Sequence, residues 1–160
     1  MNVRLARPED VETVADLLDE ATRWVGKRGF EQWPLPFPRE ELCAAVDRNE
    51  VYLVEVDGSA AATVTLLWDD QMYWGARPPD ALYVHKLAVR RKQAGRRIGR
   101  AVVEWAEAEA RAAGRSFLRL DCLADNPGIR RYYEILGFEH QGDVDLGGRR
   151  MSLYERPVRP

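Results

Sequence analysis

The feature that most constrains this fold is a strand-like run followed by a basic, glycine-bearing turn and an amphipathic stretch. Residues 81–89 read ALYVHKLAV, and a helical stripe of apolar residues starts at Ile98 and stops before Gly114. The nearly unbroken β-type character of residues 81–89 predicts a central strand, buried on both faces. The whole segment therefore predicts a strand–turn–helix unit, whose helix N-terminus offers free backbone N–H groups to an anion.

The charges are distributed unevenly along the chain. Residues 1–80 carry 16 acidic and 8 basic side chains, whereas residues 81–160 carry 10 acidic and 16 basic ones. Six basic residues fall within eleven positions that hold no acid, and they surround the turn described above: Arg90, Arg91, Lys92, Arg96, Arg97 and Arg100. This density of positive charge before a helix N-terminus predicts an anion-binding site.

Strand-like and helix-like patterns alternate along the rest of the sequence. Period-two segments bounded by turn residues predict strands over residues 2–6, 50–56, 61–68, 81–89, 117–122, 138–141 and 150–154. Helical stripes with capping residues predict one helix that starts near Pro8 and three more over residues 39–46, 98–113 and 127–136. The resulting order, β-α-α-β-β-β-α-β-α-β-β, indicates a single mixed α/β domain over residues 1–160.

Composition excludes several classes of protein. With 46% hydrophobic and 31% charged residues, the chain is globular rather than disordered. No apolar run approaches the roughly 20 residues of a membrane helix, and the N-terminus has no secretory signal, so we expect a cytoplasmic protein without a membrane partner. Two cysteines and two histidines are too few for a disulfide framework or a metal knuckle, and we expect no metal.

Two motifs resemble the GNAT superfamily of acyl-CoA-dependent N-acyltransferases. The first is LAV at residues 87–89 followed by RKQAGRRIG at residues 91–99, and the second is NPGIRRYYEILGF at residues 126–138. The resemblance implies a central, mixed and mostly antiparallel sheet of six to seven strands flanked by about four helices. It also implies acetyl-CoA (coenzyme A) as co-substrate, and homodimers are common in that family.

The resembling family wraps the coenzyme A pyrophosphate with a loop written Q/R-x-x-G-x-G/A and pairs the pantetheine arm with the preceding strand. By this resemblance the coenzyme would contact Leu87, Ala88, Val89, Ala94, Gly95, Arg96, Arg97, Ile98, Gly99, Arg100, Asn126 and Tyr133. Ala94 departs from the family at the Q/R position, and Arg97 stands where the first glycine is usual. We expect binding to persist, because such loops hold phosphate mainly through backbone N–H groups and Arg97 adds a positive charge.

The reaction of the resembling family is direct attack of a neutral amine on a thioester carbonyl, through a tetrahedral intermediate. It needs a donor for the oxyanion and an acid for the departing thiolate. The resemblance assigns the oxyanion to the backbone N–H of Leu87 and the acid to the phenol of Tyr133. The structural alternatives are core packing for Tyr133 and a helix cap for Asn126.

His85 is the candidate general base. Strict alternation along the strand would place Tyr83, His85, Leu87 and Val89 on one face. An imidazole, with a reference pKa of about 6.5, suits removal of a proton from an ammonium group directly or through water. A satisfied core histidine is the structural alternative, and other candidate bases are Asp69, Asp70, Glu31 and Asp121.

Aromatic and acidic side chains are interleaved in the acidic half of the chain, a combination that favours an ammonium ligand. We therefore expect the acceptor to be the primary amine of a small molecule, held by Trp33, Asp70, Trp74 and Tyr83. Each tryptophan alone could instead belong to the core.

Two other functions stay open. A GNAT-like protein could take its acyl group from aminoacyl-tRNA, with the basic turn against RNA phosphates. A non-catalytic module could sense acyl-CoA. The net charge of -2 and the lack of an RNA-stacking motif count against the first alternative, and retention of Asn126 and Tyr133 counts against the second.

Overall fold

The computed structural model describes residues 1–159, which form seven strands and five helices. The strands are β1 (Asn2–Leu5), β2 (Val51–Val56), β3 (Ser59–Leu67), β4 (Ala81–Val89), β5 (Phe117–Leu123), β6 (Glu139–Leu146) and β7 (Arg149–Pro157). The helices are α1 (Val11–Gly26), α2 (Arg39–Asp47), α3 (Gln71–Trp74), α4 (Ile98–Ala112) and α5 (Pro127–Ile135). Within the described residues, no helix combines the length and the apolar character needed to cross a membrane.

The strands follow the order β1-β2-β3-β4-β5-β7-β6 in one sheet. The pairs β1–β2, β2–β3, β5–β7 and β6–β7 are antiparallel, and β4–β5 is parallel. Strand β4 is therefore the fourth of seven, which confirms the prediction of a central strand. The predicted mixed, mostly antiparallel sheet is also confirmed.

The chain divides into two compact units. The first comprises Met1–Leu66 and Lys86–Val102. Its core is an apolar cluster to which α1, α2 and β2 contribute, among others, Leu17, Leu42 and Val51. Ala88 of β4 belongs to the same cluster. Because the stripes of α1 and α2 repeat at helical spacing, each helix buries one face in this cluster.

The second unit comprises Leu67–His85 and Val103–Pro160. One of its apolar clusters contains Trp74, Ala81, Tyr83 and Leu153, and half-buried Phe117 packs against it. Register pairs in this unit join Ala81 to Phe117 and continue through Val84 and Leu120. The unit thus brings the start of β4 beside β5 and next to the short helix α3.

Two expectations from the sequence need correction. The sequence patterns predict neither a helix nor a strand between residues 68 and 81, but Gln71–Trp74 forms one helical turn, which raises the helix count to five. A single turn is too short to show helical periodicity. The last two strands are longer than predicted. For β6 the reason is that it is an edge strand, in which polar residues hide the alternation.

Candidate active site

In the first unit, the basic turn after β4 is built around two residues in the left-handed conformation. Gly95 has φ +83°, and Arg97 has φ +58° immediately before α4 begins at Ile98. Glycine adopts this conformation freely, whereas another residue there costs roughly 1–2 kcal/mol. Arg97, which stands where the resembling family usually has glycine, therefore adopts a conformation that glycine takes without strain.

Three of the basic side chains in this turn differ in what they contact. The guanidinium of Arg96 lies 3.0 Å from the carboxylate of Asp57. Arg91 stacks on the Trp24 ring at 3.9 Å, and its backbone N–H donates to Glu20 at 3.0 Å. Arg97 is exposed and makes no ion pair among residues 1–159. Arg91 and Arg96 thus hold the turn in place, and Arg97 remains available to an anion.

The residues predicted to bind coenzyme are distributed over both units. Ala94, Gly95, Arg96, Arg97 and Arg100 are exposed in the first unit, where Ile98 and Gly99 are buried in the first turn of α4. Asn126 and Tyr133 belong to the second unit. The side-chain oxygen of Asn126 accepts a hydrogen bond from the N–H of Ile129 at 3.2 Å, so the predicted helix cap is present.

One residue within strand β4 has a left-handed backbone. Lys86 has φ +50°, a conformation that interrupts an extended strand. The period-two alternation expected from Tyr83 to Val89 therefore does not pass unchanged through this residue. Beyond it, Ala88 is buried in the core of the first unit, while Leu87 and Val89 are half-buried.

In the second unit, His85 lies between two carboxylates from distant parts of the chain. Its Nε2 is 2.9 Å from Asp70 Oδ2, and its Nδ1 is 3.5 Å from Asp121 Oδ1. The side chains of Asp70, His85 and Asp121 are 5%, 12% and 8% exposed. The ring of Tyr73 lies 6.0 Å from the imidazole, centroid to centroid. This is a largely buried group of three titratable residues. The sequence offered Asp121 as an alternative base, and Asp70 both as an alternative base and as an acceptor-binding residue.

The three residues offer one oxygen or nitrogen each within 4.8 Å of one another, as metal ligands do. The two carboxylates, however, face different nitrogens of one imidazole ring. The arrangement also has the groups needed to hold and move a proton.

Tyr133 lies on α5 and is buried, with 8% of its surface exposed. Its ring packs edge-on against Tyr132 and Phe138. Burial raises the pKa of Tyr133 above its usual value of 10, and the charge that a Cys122 thiolate would carry acts in the same direction. The phenol therefore stays protonated at neutral pH, as a proton donor must.

Two of the residues predicted to hold the acceptor are core residues of the second unit. Trp74 and Tyr83 are 5% and 2% exposed, and they pack edge-on against each other. The guanidinium of Arg119 donates to the Tyr83 hydroxyl at 3.1 Å and lies 5.3 Å from the Trp74 ring centroid. Trp33 packs against the core of the first unit. Of the four predicted residues, Asp70 is the one beside His85.

Arg119 is a residue that the sequence analysis missed. It is 3% exposed, and it pairs with Asp80 at 2.8 Å and with Glu155 at 2.7 Å. Arg119 and Asp121 are the two polar residues of β5, at alternate positions of an otherwise apolar strand. That alternation was the signal that could have pointed to Arg119, because a polar side chain on a buried strand face needs a specific partner.

A model of the acetyltransferase (GNAT) family matches residues 12–138. The chain belongs to this family. The uncharacterized N-acetyltransferase YesJ of Bacillus subtilis (strain 168) is 30% identical over 158 residues, covering 94% of this chain and 86% of YesJ. The S-(2-succino)cysteine N-acetyltransferase of the same strain is 26% identical over 155 residues, covering 94% and 92%.

Solved structures agree with this assignment of the fold. The structure of YncA from Salmonella typhimurium, described as a putative acetyltransferase with its cofactor acetyl-CoA, matches with a TM-score of 0.72 and 15% identity. The match covers 100% of this chain and 95% of YncA. The protein is thus an acyltransferase with the GNAT fold, as the two sequence motifs predicted.

Proposed function

We propose that this acetyltransferase transfers an acetyl group from acetyl-CoA to the primary amine of a small molecule, by direct attack through a tetrahedral intermediate. The observation that carries this proposal is the buried imidazole of His85 between Asp70 and Asp121, since N-acetylation needs a group that removes a proton from an ammonium ion. Membership of the family indicates the type of reaction. The positions of this chain's own residues suggest which of them carries each catalytic role.

The turn of the first unit has the features that a pyrophosphate needs. Ile98, Gly99 and Arg100 open α4, and the first N–H groups of a helix have no partner within it. Gly95 and Arg97 shape the turn, and the exposed guanidinium of Arg97 adds a positive charge. These residues would hold the phosphates of acetyl-CoA, whose role as co-substrate is supported by the acetyl-CoA in the YncA structure.

The second unit would supply the proton transfers. His85 would accept the proton of the acceptor ammonium, so that the amine lone pair becomes nucleophilic. Tyr133 would donate its phenolic proton to the departing thiolate, and burial keeps that proton in place until then. The backbone N–H of Leu87, in the first unit, is the proposed donor to the oxyanion.

The class of acceptor is supported by charge and by relatives. Asp70 and Asp121 attract a cationic amine, and both curated relatives are named as N-acetyltransferases. One of these relatives acts on S-(2-succino)cysteine, a small molecule. A homodimer and a cytoplasmic location remain predictions, which light scattering and cell fractionation would test.

The first experiment is calorimetric titration of the purified protein with acetyl-CoA, with CoA and ATP as controls. We expect saturable binding of acetyl-CoA that is weakened in Arg97→Ala. A panel of primary amines would follow, with free thiol as the readout. Absence of acetyl-CoA binding would refute the proposal, and binding without thiol release from any amine would limit the protein to acyl-CoA sensing.

A further inference from the structure

The two carboxylates beside His85 are not equivalent. Asp70 Oδ2 lies 2.9 Å from Nε2, whereas Asp121 Oδ1 lies 3.5 Å from Nδ1. Nε2 and Asp70 Oδ2 are both buried, and neither atom makes a hydrogen bond within residues 1–159, not even across the 2.9 Å between them. A proton on Nε2 would satisfy both atoms, since an imidazole N–H donates and a carboxylate oxygen accepts.

Asp70 is itself held in place by the backbone. Its Oδ1 accepts a hydrogen bond from the N–H of Tyr73 at 3.4 Å, and its carbonyl accepts one from Trp74 at 3.0 Å. The carboxylate thus caps α3 with one oxygen and faces His85 with the other. A rigid partner on one ring nitrogen fixes which nitrogen carries the proton in the neutral imidazole.

We propose that Asp70 is a positioning residue that keeps the proton of neutral His85 on Nε2, so that Nδ1 is the nitrogen that accepts the proton of the acceptor. This proposal rests on the proposed function, and it deepens that function by assigning the base to one atom. Asp121, 3.5 Å from Nδ1, then stands where it stabilises both the incoming ammonium and the imidazolium that forms.

The proton transfer is balanced within this group. An N–H bond of the ammonium breaks, its electron pair stays on the amine nitrogen, and a new N–H bond forms at Nδ1. His85 becomes an imidazolium with one proton facing each carboxylate, and the positive charge moves from the acceptor to the ring. In the described part of the chain, the carboxylates of Asp70 and Asp121 contact the ring nitrogens, and the phenol ring of Tyr73 lies 6.0 Å from the imidazole, centroid to centroid.

Asp70→Asn is the sharpest test, because asparagine also caps helices. In D70N the side-chain oxygen remains with the N–H of Tyr73, so the amide NH₂ faces Nε2. An amide N–H that faces Nε2 favours a lone pair on Nε2 and moves the ring proton to Nδ1. Nδ1 then has no lone pair to accept a proton from the acceptor. Turnover should fall about 10²- to 10⁴-fold, the range for loss of general base catalysis, with the Kd of acetyl-CoA changed less than about twofold.

The tautomer is read directly by long-range ¹H–¹⁵N correlation spectra of the ring nitrogens, recorded up to the pH at which the rings are neutral. The chain has two histidines, so His140→Gln leaves the signals of His85 alone. We expect a protonated Nε2 in the wild type and a protonated Nδ1 in D70N. The matched control is Asp16→Asn on the exposed face of α1, which should change neither the spectrum nor turnover.

Two results would overturn the proposal: a protonated Nδ1 in the wild type, or the same tautomer in the wild type and D70N. The wild-type spectrum shows whether Nδ1 is protonated in the wild type, even if D70N folds poorly. The expected tautomers without acetyl transfer to any amine would refute the proposed function and still support the placement of the proton by Asp70. The two failures are therefore distinguishable.

Discussion

Glu107 on α4 anchors the C-terminal segment, and its neutralisation should weaken the fold strongly. Its side chain is 2% exposed, and its carboxylate lies 2.7 Å from Arg156 and 2.8 Å from Arg159. The backbone N–H of Arg159 also donates to it at 2.8 Å. Arg156 itself is 10% exposed, so Glu107→Gln would leave a buried positive charge without its counter-ion.

The magnitude follows from the pKa of this carboxyl. The hydrogen bond from the Arg159 side chain, with the further Arg159 backbone bond and the charges of both arginines, lowers the pKa of Glu107 from 4.5 to about 2, against the opposing effect of burial. That difference corresponds to roughly 3 kcal/mol of stability. Because Arg159 is 69% exposed and screened by water, we expect E107Q to lose about 2–3 kcal/mol at pH 7.

The pH dependence has a definite sign. Since the folded-state pKa lies below the unfolded value, this contribution is complete well above pH 4.5 and disappears as the pH falls towards about 2. Urea unfolding followed by circular dichroism would measure the free energy of unfolding of wild type and E107Q across this range. Arg159→Ala, which keeps the buried pair, should lose only about 1 kcal/mol. An E107Q penalty below about 0.5 kcal/mol at pH 7, or one that stays constant down to pH 3, would refute the reasoning.

Three further predictions concern the turn, the acid and the thiols. Arg97→Gly should raise the free energy of unfolding by about 0.5–1 kcal/mol relative to Arg97→Ala, because both lose the same charge but only glycine accepts φ +58° without strain; equal urea midpoints would contradict this. Tyr133→Phe should lower kcat about 10²-fold or more, with little change in the Kd of acetyl-CoA; wild-type turnover across the pH range would exclude the acid role. In native protein an aromatic disulfide reagent should titrate the exposed thiol of Cys43 alone, because burial raises the pKa of Cys122 to about 12; two fast thiols before urea is added would contradict this.

Local chemistry in the sequence was sufficient for most of the secondary structure. Asn126 followed by proline predicts a capped helix, and its side chain makes that cap. The hairpin turn between β2 and β3 places Asp57 and Gly58 at φ +53° and +74°, as a two-residue turn with Asp-Gly requires. These features depend on residues within a few positions of one another, so tertiary contacts are not needed to predict them.

Features that depend on tertiary packing were harder to predict from the sequence. The β-type character of residues 81–89 predicts a strand with strictly alternating side chains, and the left-handed Lys86 within β4 interrupts that alternation. Trp74 and Tyr83 carry the chemistry of a ligand pocket, yet the buried guanidinium of Arg119 packs with both of them in the core. A side chain of this kind suits a pocket or a core equally well, and only its neighbours in the folded chain decide which.

The sequence by itself determined the family, the order of the elements and the basic turn, because motif spacing, periodicity and charge density are properties of contiguous residues. The fold alone decided which groups surround the candidate base. Asp70 and Asp121 lie 15 and 36 positions from His85. The sequence patterns of these segments do not predict that the segments contact each other. They meet because β4 pairs with β5 up to Val84 and Leu120, which sets His85 beside Asp121, and because one turn of helix holds Asp70 against the ring.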